Sequence, residues 1–204
     1  MHISEGILSL PVLAAGVAFS GAGTIIGLKR LDADRIPGIG IMSAAFFVAS
    51  LIHVPIGPSN VHLILNGIVG LLLGWAAFPA ILVALVLQAI FFQYGGITTL
   101  GVNTVLMALP AVACYHLFGP LVKKKDAIAL PAGFACGAIS IFLSGIIMGG
   151  VLIFTEENFL EISAVVVAAH IPIMIVEGII TMFCVGFLKK VQPTLLDPSR
   201  GEPS

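Results

Sequence analysis

An all-α polytopic membrane fold with about seven transmembrane helices is predicted for this chain by three observations. Hydrophobic residues fill 59% of the 204 positions, against only 9 Lys+Arg and 10 Asp+Glu, which is too little charge to clothe a soluble globule of this size. The apolar residues come in long runs broken by charges, prolines or glycines, and roughly 20 residues per span leave room for about six to eight helices. The basic residues cluster where alternate connections of a seven-span chain would lie, as short cytoplasmic loops require.

The spans are placed at about 7–28, 36–54, 61–76, 79–93, 104–121, 127–154 and 163–188. The first stops at Lys29-Arg30 and the second at the His53-Val54-Pro55 turn. The third and fourth are short and joined by a tight turn around Gly74 to Pro79, so they fit a helical hairpin that does not cross fully, which would leave about six full spans. The fifth stops before Lys123 to Lys125, the sixth before Glu156-Glu157, and the seventh at Lys189-Lys190. One integral membrane domain therefore covers 1–190, and the polar, proline-bearing stretch 191–204 is a cytoplasmic tail with little structure from Gln192 onward.

With the N-terminus outside, all nine basic residues fall on the cytoplasmic side and Glu156, Glu157 and Glu161 fall outside. No Lys or Arg precedes Lys29 and Glu5 is acidic, so the start does not resemble a secretory signal and is expected to be retained. A net charge of -1 supplies no field for nucleic acid. Cys114, Cys136 and Cys184 lie in apolar runs without metal-type spacing and are expected to be small buried hydrophobes. The glycine-rich segment from Gly95 to Gly101 has no following Lys and is not a phosphate loop, so it is expected to form a non-helical lid or re-entrant turn.

The outward end of this topology collects Met1, His2, His53, Asn60, His62, Gln93 and Asn103. A free α-amine, the next peptide nitrogen and the His2 Nδ1 close two adjacent chelate rings on one ion, an arrangement that suits Ni(II), Cu(II) or low-spin Co(II) better than Zn(II). His62 is positioned to supply a fourth nitrogen, and Asn66, four residues on, shares its helical face and is placed to orient its ring. His53 is a second candidate, beside a turn that also suits an interfacial role. The amine, with a reference pKa of about 7.7–8, and the imidazole must both lose protons to bind, so affinity should fall on acidification.

In the last span Ser163, His170, Met174, Glu177 and Thr181 share one helical face, which must look at protein or water rather than lipid. The stripe is either part of a metal or proton path or a polar clamp between helices, with Glu177 protonated or bonded to a neighbour. Ala14, Ala18 and Ala22 in the first span, and Gly70 and Gly74 in the third, form small-residue faces for close packing within the chain or against another membrane subunit.

These residues stand in segments that resemble the substrate-binding membrane component of cobalt and nickel energy-coupling-factor transporters, the CbiM/NikM family. The resemblance runs through MHISEGILS, HVPIGPSNVHLILNGIVGLLLG, QAIFFQYGGITTLGVNTVLMALP and IPIMIVEGIIT, in that order, across nearly the whole chain. It implies a seven-helix protein whose N-terminus tucks into the bundle from outside and binds the metal through the Met1 amine, the His2 backbone nitrogen and imidazole, and the His62 imidazole. It also implies a transmembrane coupling protein, a pair of cytoplasmic ATPases and a small accessory membrane protein as partners, in a prokaryotic plasma membrane. Tyr94 stands where many relatives carry His, and His53 and His170 occupy positions often filled otherwise, so the resemblance leaves cobalt and nickel both open.

Two other classes are separable. An intramembrane enzyme would need more than the His170/Glu177 stripe, and the chain has no HExxH, no GxSxG and no carboxylate pair near a histidine. A binder of an organic vitamin, or a purely structural subunit, fits the apolar interior, but Trp75 is expected near the cytoplasmic turn and gives a ring ligand no platform.

Overall fold

The computed structural model describes residues 2–56, 59–155, 165, 168 and 170–197, with the hairpin residues between 53 and 62 given as backbone alone. Among them are seven α-helices and one small hairpin: α1 (Leu10–Lys29), α2 (Ile36–Ala49), β1 (His53–Ile56), β2 (Ser59–His62), α3 (Asn66–Leu73), α4 (Ala77–Phe92), α5 (Leu100–Val122), α6 (Asp126–Thr155) and α7 (Ile171–Val191). Five helical runs are long and apolar enough to cross a membrane: α1, the combined Asn66–Phe92 run, α5, α6 and α7. The chain is thus a helical membrane protein, and six of the helices lie within a few residues of the predicted spans.

The Asn66–Phe92 run is two legs, not one rod. Gly74, at φ 54, ends α3, and a 3-10 turn over Gly74–Ala76 starts α4. Gly70 packs on Ala111 and Gly74 on Tyr115, so α3 runs parallel to α5. Gln88 near the end of α4 instead reaches His2, at the end of the bundle where Asn103 opens α5, so α4 runs the other way. At 1.5 Å per residue the eight-residue α3 is roughly 12 Å long. This is the short helical hairpin that the sequence allowed.

Helix α5 forms the axis, packed by α1, α3, α4 and α6, with its interior residues Met107, Ala108 and Ala111 fully buried. Close approach depends on missing side chains. A Cβ on Gly16 would stand 2.3 Å from Val102 Cγ2, and one on Gly101 2.7 Å from the Val17 nitrogen, so α1 and α5 cross backbone to backbone. Likewise a Cβ on Gly70 would stand 2.2 Å from the Ala111 oxygen. Between hydrocarbon and an equally apolar interior, such van der Waals contact drives association where burial alone cannot. The buried face of α1 is Gly16, Ser20, Gly23 and Gly27; Ala14, Ala18 and Ala22, expected to pack within the chain or against another subunit, are exposed, so they do not pack within the chain.

The described basic residues gather at one end. Arg30 sits over the Trp75 ring at 5.4 Å, Arg35 Nη2 donates to Leu72 O, and Lys189 pairs with Asp126 and donates to the Val122 and Lys124 oxygens. Described structure also continues past Gln192: Pro193–Leu195 form a 3-10 turn, Leu196 is buried against Cys114 and Val122, and Asp197 pairs with Lys123. The first part of the expected tail is docked because Leu196 has an apolar socket and Asp197 a cation. Cys114, Cys136 and Cys184 are free thiols, the first two fully buried.

The predicted third span is shortened. Residues 59–62 form β2, antiparallel to β1 with His53 opposite His62 and Asn60 opposite Pro55, and α3 starts only at Asn66. The second helix correspondingly stops at Ala49 rather than near residue 54. At the start of the last span, α7 begins at Ile171; Ser163, Glu156, Glu157 and Glu161 lie outside the described residues.

Candidate metal centre

At the end of the bundle away from the lysines, two segments of non-helical backbone are each tied down by a polar side chain from a helix. In the first, the N-terminal segment lies on the start of α5. Ile3 N–H donates to Asn103 Oδ1 at 2.9 Å, and Asn103 Nδ2 donates back to Ile3 O at 3.1 Å and to Thr99 Oγ1 at 3.2 Å. One primary amide therefore satisfies both backbone groups of Ile3, as a neighbouring strand would. Asn103 is 2% exposed and the Ile3 side chain is buried beside Val102 and Leu106.

This anchoring places His2. Its Nε2 lies 2.7 Å from Gln88 Oε1, its ring is 6.0 Å from that of Tyr94, and Gly95 lies against its Cβ. Gln88, fully buried, donates its Nε2 to Ser50 Oγ at 2.7 Å, and Ser50 Oγ donates to Phe47 O at 2.6 Å. Three elements, α2, α4 and the N-terminal segment, are joined through this chain. Further along, Thr98 N–H donates to Glu5 Oε1 at 3.0 Å, a bond that holds the Glu5 carboxyl below the ordinary carboxylate range although it faces solvent.

The turn between α4 and α5 receives the segment. Gly95 has φ 75 and Gly96 φ 151, both in space that favours glycine. A Cβ on Gly96 would fall 2.0 Å from Glu5 Cγ, and one on Gly95 2.7 Å from Asn103 Nδ2. The predicted non-helical turn over Gly95 to Gly101 is thus partly formed, with α5 taking over at Leu100, and it cradles the N-terminal segment. Gln93 ends α4 in the left-handed region at φ 57.

In the second segment, β2 leads into α3. Glu177 Oε1 accepts from Ile64 N–H at 2.5 Å and from Leu65 N–H at 2.8 Å, with Leu65 left-handed at φ 59. An acceptor from α7 thereby satisfies the two amides just before the helix, which explains why α3 starts later than its apolar pattern suggests. Asn66 does not stand at helical spacing from His62, because residues 62–65 are not helical; its Nδ2 donates to Ser144 Oγ on α6 at 3.2 Å. The stripe of α7 faces inward as expected: His170 is 4% exposed beside Gly145, and Glu177 and Thr181 are fully buried.

The structure therefore brings together His2, Asn103, Gln88 and Ser50 at one end, and Glu177 with the backbone two residues after His62. Met1 and the side chains of His53, Asn60 and His62 lie outside the described residues. Among the described residues no three His, Cys, Asp or Glu side chains form a metal cluster. Gln88 and Ser50 escaped sequence reasoning. The signal that marks Gln88 is its place as the lone amide in the run ILVALVLQAIFF, where a polar group must find a partner inside the protein.

Comparison with known proteins agrees along the whole chain. The model of the cobalt uptake substrate-specific transmembrane region, CbiM, matches residues 2–195. A provisionally named metal transport protein of Haemophilus influenzae is 42% identical over 97% of this chain and 97% of its own length. The cobalt transport protein CbiM of Sorangium cellulosum is 28% identical over 97% of this chain and 95% of its own length. The fused nickel transport protein NikMN of Rhodobacter capsulatus is 31% identical over 98% of this chain, which spans 65% of that longer protein. A crystal structure of a transition metal transporter superposes with a TM-score of 0.75 at 27% identity, covering 94% of this chain and 93% of that one.

Proposed function

We propose that this chain, which belongs to the CbiM family of cobalt uptake substrate-specific transmembrane regions, binds Co(II) or Ni(II) on its N-terminus and carries the ion across a prokaryotic inner membrane. Metal transport is the family's business, and the chain is a transport component rather than an enzyme. The ligands proposed are the Met1 amine, the His2 peptide nitrogen and Nδ1, and the His62 imidazole. The observation that carries this is the anchoring of the N-terminal segment: the buried Ile3 is bonded through its backbone to Asn103 on α5, and His2 is bonded to Gln88 on α4, which Ser50 at the end of α2 holds in turn.

The second ligand is positioned from α7. Glu177 fixes the backbone of Ile64 and Leu65, and so the end of β2 that carries His62. Between the two readings of the α7 stripe, these bonds favour the clamp. His53 stands opposite His62 in the hairpin register and is the alternative imidazole. Asn60, Asn66 and His170 are kept as residues near the path.

Energy is supplied by other chains in this proposal: a transmembrane coupling protein, a cytoplasmic ATPase pair and a small accessory membrane protein. A fused relative supports association with a further transport component, and the exposed Ala14, Ala18 and Ala22 on α1 offer a small-residue face for a helix of such a partner. The end bearing the lysines faces the cytoplasm and the His2 end faces outward, by the bias of basic residues.

The test is metal binding by the purified chain. His2→Ala and His62→Ala are each expected to lower affinity for Ni(II) and Co(II) by about 10-fold or more, the loss usual for a disturbed site. Full binding retained in both variants would refute the ligand set.

A further inference from the structure

We propose that Gln88 is a positioning residue that locks His2 in the tautomer with the proton on Nε2, so that Nδ1 is the ring's basic nitrogen before any metal arrives. The inference rests on the metal reading for its purpose but on the hydrogen-bond chain for its content.

The direction of that chain is fixed from its far end. Phe47 O is a carbonyl and only accepts, so the single proton of the Ser50 hydroxyl is given to it. Ser50 Oγ has then only lone pairs to offer Gln88, and the group facing it must be the amide nitrogen. The Gln88 Oε1 is thereby turned to His2. A carboxamide oxygen has no proton, so the bond at 2.7 Å exists only if His2 Nε2 carries one. In a neutral imidazole the proton on Nε2 leaves Nδ1 as the base.

The chemistry at the N-terminus needs that tautomer. Only Nδ1 lies close enough along the His2 side chain to close a ring with the residue's own peptide nitrogen; Nε2 is on the far side of the imidazole. In free histidine the two tautomers interconvert, and a ring holding its proton on Nδ1 must first shed it. The buried Gln88 amide removes that step, in the way carboxylates and carbonyls orient metal-binding histidines elsewhere. The same amide gives a neutral acceptor, so it orients the ring without holding a second proton on it as a carboxylate would.

Nitrogen NMR on ¹⁵N-histidine-labelled, metal-free full-length protein in nanodiscs at about pH 8, where a reference imidazole is neutral, reads the tautomer directly. His2 is assigned by the signal lost in His2→Ala. The expected result is a protonated Nε2 and an unprotonated Nδ1 in the native chain. Gln88→Leu is expected to give a mixture of both tautomers and a 10-fold to 100-fold weaker Ni(II) affinity, and Gln88→Glu, whose carboxylate still accepts at Nε2, to keep the proton there while favouring a second one on Nδ1. Ser50→Ala frees the amide to turn over and is expected to mix the tautomers without removing a large side chain. A proton on Nδ1 in the native chain, or an unchanged tautomer in both Gln88→Leu and Ser50→Ala, would overturn the proposal. If the native chain shows the expected tautomer but binds neither Ni(II) nor Co(II), the metal reading fails while the tautomer assignment stands.

Discussion

The N-terminal segment and the β2–α3 junction solve the same problem with different groups. Each brings irregular backbone to the same end of a helical bundle, where hydrocarbon and close packing leave unpaired amides costly. At Ile3 the solution is a carboxamide, Asn103, which donates and accepts and so closes both backbone groups at once. At Ile64 and Leu65 it is one oxygen of Glu177, which only receives, and whose second oxygen has no hydrogen-bond partner among the described residues. The difference teaches that buried polar residues here hold backbone first, and by holding it set where His2 and His62 stand.

Removing the acceptor in α7 is the hardest test of this contrast. Glu177→Leu leaves one buried and one part-buried N–H group without an acceptor and is expected to destabilise by about 1–3 kcal/mol for the buried one and less for the other, read as a lower thermal midpoint in detergent, with metal binding lost as well. Glu177→Gln keeps an oxygen in place and is expected to retain most of the stability. Equal loss in both would show that the carboxyl does more than accept these two bonds.

The matching change in the first segment is smaller and more local. Asn103→Leu is expected to detach Ile3 at a cost of about 1–3 kcal/mol and to weaken metal binding about 10-fold to 100-fold, while the helices melt almost as before. Calorimetric titration beside a thermal scan separates the two effects. Gly96→Ala is expected to do less: the new Cβ meets Glu5 Cγ at 2.0 Å and φ is 151, a strain of order 1–3 kcal/mol, relieved by swinging the exposed Glu5 away. Its metal affinity should fall by about tenfold or less.

How much of this was legible in the sequence follows from range. The helices were visible as apolar runs, and the turn at Gly74 as a break between two short ones. The inward face of α7 was visible because His170, Glu177 and Thr181 repeat at helical spacing. The β1–β2 hairpin was not, since Val61 to Leu65 continues the apolar pattern of α3 and the group that stops the helix lies 112 residues away in Glu177. On α1, alanines and glycines both repeat at near-helical spacing, and hydropathy cannot separate a face against lipid from one against protein when both are apolar. Gln88 and Ser50 were missed for a related reason: one polar residue in an apolar run announces that a partner exists and leaves it unnamed.

The smallest expected effect is a pH response of the first segment alone. The Glu5 carboxyl is held below the ordinary range by the Thr98 N–H. A depressed carboxyl contributes stability above its unfolded value and loses it as pH falls through the folded one. Protection of the Thr98 amide from hydrogen exchange should therefore be complete near neutral pH and decline only below the usual glutamate range of about 4. In Glu5→Gln that protection should be weaker at neutral pH and flat across the acid range, and an acid-dependent loss that persists in it would assign the response to another group.

The central claim is that the N-terminus is itself a ligand, and titration of Ni(II) and Co(II) into two forms of the protein tests it most directly, one starting at Met1 and one extended by a few residues before it, followed by the visible absorption of the metal. The form starting at Met1 should show the spectrum of an ion in a plane of nitrogens, and the extended form should lose it. If both forms bind alike, with the same spectrum, the α-amine is not a ligand and the site must be built from side chains alone.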